Sequence, residues 1–213
     1  MSGVVDLVVD TCVLFEFSSW HDLTEAKPGD MQNRMLRARG SLSLGWFCHR
    51  RRLTGVCQVG ETHRVLDEKG AGPDTQKGVV PWMTANFLLP KCLPNWRLQD
   101  TEQVIVKGNA MDRWLVDLAR KHDVPLLTRE ENEKNALRRH AQRIGVEVLM
   151  PEEWIKKQGS DVDALASELW SVIDRQIVQF ANHPRQRMSR QKEAVFRENC
   201  RDYKKGMREL LLS

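Results

Sequence analysis

The chain has 213 residues, of which 41% are hydrophobic, and its 33 Lys plus Arg exceed its 29 Asp plus Glu by 4. That composition excludes collagen-like, low-complexity and wholly disordered classes, and the basic excess is too small to hold nucleic acid by bulk charge, so any such contact must be local. Five scattered cysteines (Cys12, Cys48, Cys57, Cys92, Cys200) form no C-x-x-C pair and read as reduced thiols rather than a disulfide framework or zinc knuckle.

Taken in chain order, residues 4–9 are β-branched and nearly continuously apolar, the pattern of a short strand buried on both faces. Asp6 and Asp10 interrupt this stretch as a leader peptide, and no window approaches the roughly 18–20 apolar residues that span a bilayer, so a cytoplasmic protein is expected. Residues 11–20 place Val13, Leu14, Phe17 and Trp20 on one helical face, with Thr11 available as cap. A loop containing Pro28 and Gly29 leads to a short helix at 32–39, and a second helix at 42–52 ends in Arg50, Arg51 and Arg52. A strand is expected at 54–59, then a helix at 61–69 closed by Gly70 and Gly72. The stretch 72–101 holds Pro73, Pro81, Pro90 and Pro94 and carries no regular signal.

Beyond Gly108 the 3.6-residue period returns through Met111, Trp114, Leu115, Leu118 and Ala119. A strand at 124–128, a charged helix at 130–144 and a strand at 146–150 follow, and the alternation implies βαβ units and a mainly parallel sheet. After Pro151 the pattern is helical at 152–157, 161–181 and 190–212. A boundary near 158–160 would divide an α/β domain, 1–158, from a helical extension, 159–213.

Ligands of open α/β sheets bind outside the carboxyl ends of the strands. Asp10 ends the first strand, Glu61 follows the second, Asp112 opens the helix after Gly108, and Glu130 lies two residues past Thr128. Alone, each has an ordinary role as a helix cap or a first-turn charge on the helix dipole. As a set, four acids from four segments would repel one another unless a hard divalent cation such as Mg²⁺ or Mn²⁺ neutralised them.

Val8-Val9-Asp10-Thr11-Cys12-Val13-Leu14 resembles the opening strand and first acid of PIN-domain nucleases, a family that includes toxins of toxin–antitoxin pairs. The run from Asp112 through Leu126-Leu127-Thr128-Arg129-Glu130 is similar to that family's third-acid helix, following strand and Thr-x-acid turn. Over roughly the first 155 residues the resemblance implies a three-layer fold, a mainly parallel sheet flanked by helices. It further implies a metal-dependent endoribonuclease acting on single-stranded RNA, with Asp10, Asp112 and Glu130 at the first, third and fourth acidic positions. Glu61 fits the second by context, with Asp67 or Glu68 as alternatives. Thr11 and Thr128 would orient ligands or water around Mg²⁺ or Mn²⁺.

Basic groups suit the substrate: Arg34, Arg37, Arg39, Arg50, Arg51 and Arg52 have no acid among them after Asp30, and Arg113 and Arg129 adjoin the acids. Guanidinium forks match phosphate oxygens, and the triple arginine beside Trp46, Phe47 and His49 reads as an RNA contact. A solvated helix face is the other reading. The helix at 190–212 has an apolar side that either packs on Leu165, Leu169, Ile173 and Ile177 or docks an antitoxin, another protein or a second copy. The competing function is a PIN scaffold without catalysis that binds RNA or protein.

Overall fold

The computed structural model describes residues 4–19, 28–57, 79–100, 109–132, 134–182 and 189–213. The first strand, β1 (Leu7–Val9), turns directly into α1 (Thr11–Ser19). Next come α2 (Pro28–Arg51), β2 (Thr54–Cys57), α3 (Val79–Met83), a π-helical segment (Thr84–Cys92) and β3 (Arg97–Asp100). The chain continues through α4 (Asn109–His122), β4 (Leu126–Leu127), α5 (Ala136–Ile144), β5 (Val148–Leu149), α6 (Pro151–Lys157), α7 (Val162–Asn182) and α8 (Arg190–Leu212). No helix among the described residues is long and apolar enough to cross a membrane.

The five described strands form one sheet in the order β3-β2-β1-β4-β5, and every pairing is parallel. Val8 stands opposite Val56 on one side and Leu126 on the other, so β1 is central. Strand side chains alternate between faces. Leu7, Val9 and Leu127 accordingly join one hydrophobic cluster with Val13 and Phe17 of α1, Leu42 and Phe47 of α2 and Ile155 of α6. Val8 and Leu126 join another with Leu115, Val116 and Ala119 of α4 and Leu137 and Ala141 of α5. The expected α/β class, with a parallel sheet flanked by helices, is what the chain forms. Its crossovers change face between β1 and β4, the place where open α/β sheets bind their ligands, at the carboxyl ends of the strands.

Several elements differ from the sequence reading. The loop and two helices expected over 21–52 are, from residue 28 onward, the single 24-residue helix α2. Its stretch 40–48 is buried on every side because α2 lies between the sheet's helical cover and α7, and all-round burial erases the periodic signal. Gly40, between the two expected helices, sits in mid-helix; a Cβ there would overlap the carboxylate of Glu152, so the glycine serves helix packing. The stretch 72–101 is regular where described. Pro90 cannot donate a hydrogen bond to the carbonyl of residue 86, and the chain adopts the wider i→i−5 winding, seen in Leu93 N–H donating to Leu88 O at 3.0 Å. The missed strand, β3, has a single neighbour, β2, and as an edge strand needs no apolar alternation. The helix expected at 130–144 begins at Ala136, where Asn135 accepts from Leu137 N at 2.8 Å as its cap. The helix expected at 61–69 lies outside the described residues.

The division at 158/159 is a turn in the chain, with Gly159 at φ +70°, and not a gap in packing. Leu165, Leu169 and Ile173 of α7 and Phe196, Tyr203 and Met207 of α8 belong to the same cluster as Leu7 and Val9 of β1. The apolar side of α8 packs on α7, as one of its two readings had it, and the helical extension shares its core with the sheet domain.

Candidate active site

Asp10 is the first residue after β1 and immediately precedes α1, so the backbone of a buried strand fixes its position. Its amide donates to Leu127 O at 2.8 Å, joining the ends of β1 and β4. Its carboxylate is held on one side: Oδ2 accepts from Thr128 Oγ1 at 2.7 Å and from the Cys12 thiol at 3.1 Å. Among the described residues the other oxygen, Oδ1, has only the Cys12 amide at 3.5 Å. Thr128, fully buried, also accepts from Glu130 N at 3.1 Å, which ties the turn after β4 to the first acid.

Cys12 was not anticipated as a site residue. Burial, and after it the charge of Asp10, push its thiol up to about 12. It is therefore a protonated donor to Asp10, while its sulfur accepts from Arg129 N at 3.1 Å. Cys12 rather than Thr11 makes the bond to Asp10 in this turn. The available signal was position: the second residue of a helix points its amide and side chain back toward a capping acid.

Asp112 lies on the first turn of α4, half-buried. Its carboxyl is raised above the ordinary value by burial first, then by the charge of Asp10, then by that of Glu130. Asp112 thus stands within the charge field of two of the other three expected acids at the carboxyl edge of the sheet. Glu61 and its alternatives Asp67 and Glu68 lie outside the described residues. Among the described residues no three His, Cys, Asp or Glu side chains already form a group able to hold a metal ion. The donor set nonetheless has the chemistry of a hard-cation site: carboxylate oxygens, an Asp112 carboxyl raised by burial and by the charges of Asp10 and Glu130, and an Asp10 Oδ1 with a single long contact among the described residues.

The basic residues divide into three groups. Arg113 is exposed next to Asp112. Arg129, expected on the RNA, is instead an internal tie. Its side chain is 3% exposed; Nη1 donates to both Glu152 oxygens at 2.7 and 2.6 Å, Nη2 donates to Ser41 Oγ at 2.9 Å, and Nη2 also reaches Arg37 O. Burial with fork-shaped pairing to α6 and α2 leaves no guanidinium edge for a phosphate. Arg39 is likewise spent, on Asp163 at 2.9 Å and on Ser213 O. Arg50, Arg51 and Arg52 are exposed, but they precede β2 and lie at the amino edge of the sheet, opposite Asp10. The 14 residues between Arg37 and Arg51 are about 21 Å of helix. Arg50 pairs with Glu168 at 2.5 Å, and Arg51 lies over the Phe47 ring at 5.5 Å.

No family model, curated protein or solved structure matches this chain.

Proposed function

We propose that this chain is a PIN-like endoribonuclease that hydrolyses single-stranded RNA with Mg²⁺ or Mn²⁺. The observation that carries the reading is the convergence of Asp10, Asp112 and Glu130 from three segments where the crossovers change face, with the Asp112 carboxyl raised by burial first and then by the charges of Asp10 and Glu130. Three carboxylates at such a crevice are unfavourable without a cation and are a natural place for one. When bound, the cation supplies Lewis-acid stabilisation of the scissile phosphate and lowers the pKa of an attacking water.

The residues of this chain do the positioning. Thr128 and Cys12 hold Asp10 through Oδ2, which fixes the orientation of its carboxylate. The Thr128 hydroxyl also fixes the backbone of Glu130, and Arg113 offers an exposed guanidinium to a phosphate beside Asp112. Hydrolysis by water at phosphorus would leave a 5′-phosphate and a 3′-hydroxyl.

The test is cleavage of an end-labelled single-stranded RNA by the wild-type chain and Asp10→Asn, with Mg²⁺, Mn²⁺ or EDTA. Cleavage by wild type with either metal, and its loss in EDTA and in the variant, supports the reading. Absence of cleavage, with no thermal stabilisation by Mn²⁺, would overturn it in favour of a binding scaffold.

A further inference from the structure

A second surface lies on the far side of the helical layer. Two adjoining open depressions of about 560 Å³ each run along α8, one against Trp170 and Asp174 of α7 and the other against Met35 of α2. They share Lys205, Arg208 and Leu212, so they meet along one stripe of α8 and are taken together as one shallow groove. Arg201, Lys205 and Arg208 are exposed and follow one another at i, i+4 and i+7, which aligns them on a single stripe of the helix. Among the described residues none of the three has an ion-pair partner, whereas Lys204 is taken by Asp174 at 2.7 Å. Glu209 is a carboxylate at the lower end. Beside this stripe Trp170 is partly buried, its body in the core and one part in the groove.

We propose that this groove binds single-stranded nucleic acid, with Arg201, Lys205 and Arg208 on successive phosphates and Trp170 as a stacking platform for a base. Three unpaired cations in a line along a helix match a phosphate backbone, and an aromatic ring set in the same wall suits an unpaired base rather than a duplex or an acidic peptide. The eleven helical rises from Arg201 to Leu212 give the groove a length of about 17 Å. Its lower end reaches α2 at Met35, two residues from Arg37, whose Nη2 donates to Arg129 O at 3.4 Å, next to Glu130. A strand lying in the groove is thereby led toward the acids; only this last step rests on the nuclease reading.

The experiment uses the full chain carrying Asp10→Asn, in EDTA, so that binding is measured apart from any cleavage. Anisotropy of a labelled oligouridine is followed against salt. Replacing Arg201, Lys205 and Arg208 together by Ala should weaken binding and flatten the slope of log K against log salt by about 2, three contacts at roughly 0.7 each. Trp170→Leu, which keeps an apolar side chain in the core, should cost about tenfold in affinity with the salt slope unchanged. Lys205→Glu alone, at an exposed position, should lower the slope by roughly 0.7 and decides the matter if the triple variant fails to fold. An unchanged slope in the folded triple or single variant overturns the proposal. Equal affinity for duplex RNA or polyglutamate would do the same. Binding that persists when wild-type cleavage is absent leaves the groove standing and removes the nuclease.

Discussion

The Thr128 hydroxyl donates to Asp10 Oδ2 at 2.7 Å across 118 residues of chain, the shortest link between the first strand's acid and the turn that follows β4. A hydrogen bond to a charged acceptor at a buried donor is worth about 1.5–3 kcal/mol. Thr128→Val preserves the shape and removes the donor, so it should lower stability by about 2 kcal/mol, or roughly 4–8 °C for a chain of this size. Cleavage should fall with it, because Asp10 and the Glu130 backbone lose a common anchor. Thermal unfolding in parallel with an RNA assay checks both; a variant with wild-type stability would mean the bond carries no weight.

Asp112→Asn should raise the stability of the metal-free protein at neutral pH. A carboxyl whose folded value is raised contributes stability below its unfolded value, near 4, and loses that contribution as pH rises through the folded value. The wild type therefore carries a charge penalty at pH 7 that the amide lacks. The group is partly solvated, which limits the gain to under about 1 kcal/mol, or roughly 1–3 °C. The difference should vanish as pH falls toward about 4. Mn²⁺ should stabilise the wild type more than the variant. A melting-temperature difference that is independent of pH would exclude the burial and crowding of the ionised carboxylate as its source.

Arg129→Met should destabilise by about 3 kcal/mol, since it strands Glu152 and Ser41 against a core built for a guanidinium. Gly40→Ala should act on the same tie from the opposite side by displacing the Glu152 carboxylate. Its loss should exceed the gain of up to about 1 kcal/mol that alanine brings to a helix interior. Because both variants break one contact, their effects should fall short of adding in the double variant. Urea unfolding of the four proteins measures this; full additivity would mean that Gly40 and Arg129 act independently.

Residues 1–158 expressed alone should aggregate. The cut exposes the sides of α2, α3 and the π-helical segment that Leu165, Leu169, Phe196, Tyr203 and Met207 now cover. A soluble, cooperatively unfolding fragment would show that the sheet and its first helical layer suffice.

How much of this could be read beforehand depended on what surrounds each residue. β1 and α1 were legible because an uninterrupted apolar run meets a capped amphipathic turn within a few residues. The continuity of α2 was not, since buried Ser41, Ser43 and Gly40 look like loop residues until α6 and α7 cover them. Asp10 and Asp112 stood at strand–helix junctions where topology concentrates ligands. The role of Cys12 depended on a threonine 116 residues away, and that of Arg129 on a glutamate 23 residues on, in α6. Neither distance leaves a local trace.

The central place of β1 also sets an order of events during synthesis. Its partners lie 48 residues later at Gly55 and 118 residues later at Leu126. As the chain leaves the ribosome, the first strand waits with one edge unpaired until more than half of the protein has been made. Such long-range parallel pairing folds slowly and leaves apolar edges open to other chains in the interval. The same delay acts as a safeguard. Asp10 cannot meet Thr128 and Glu130 before β4 is in place, so a chain that stops short of β4 lacks the assembled crevice, and any activity of that crevice begins only after more than half of the molecule has been made.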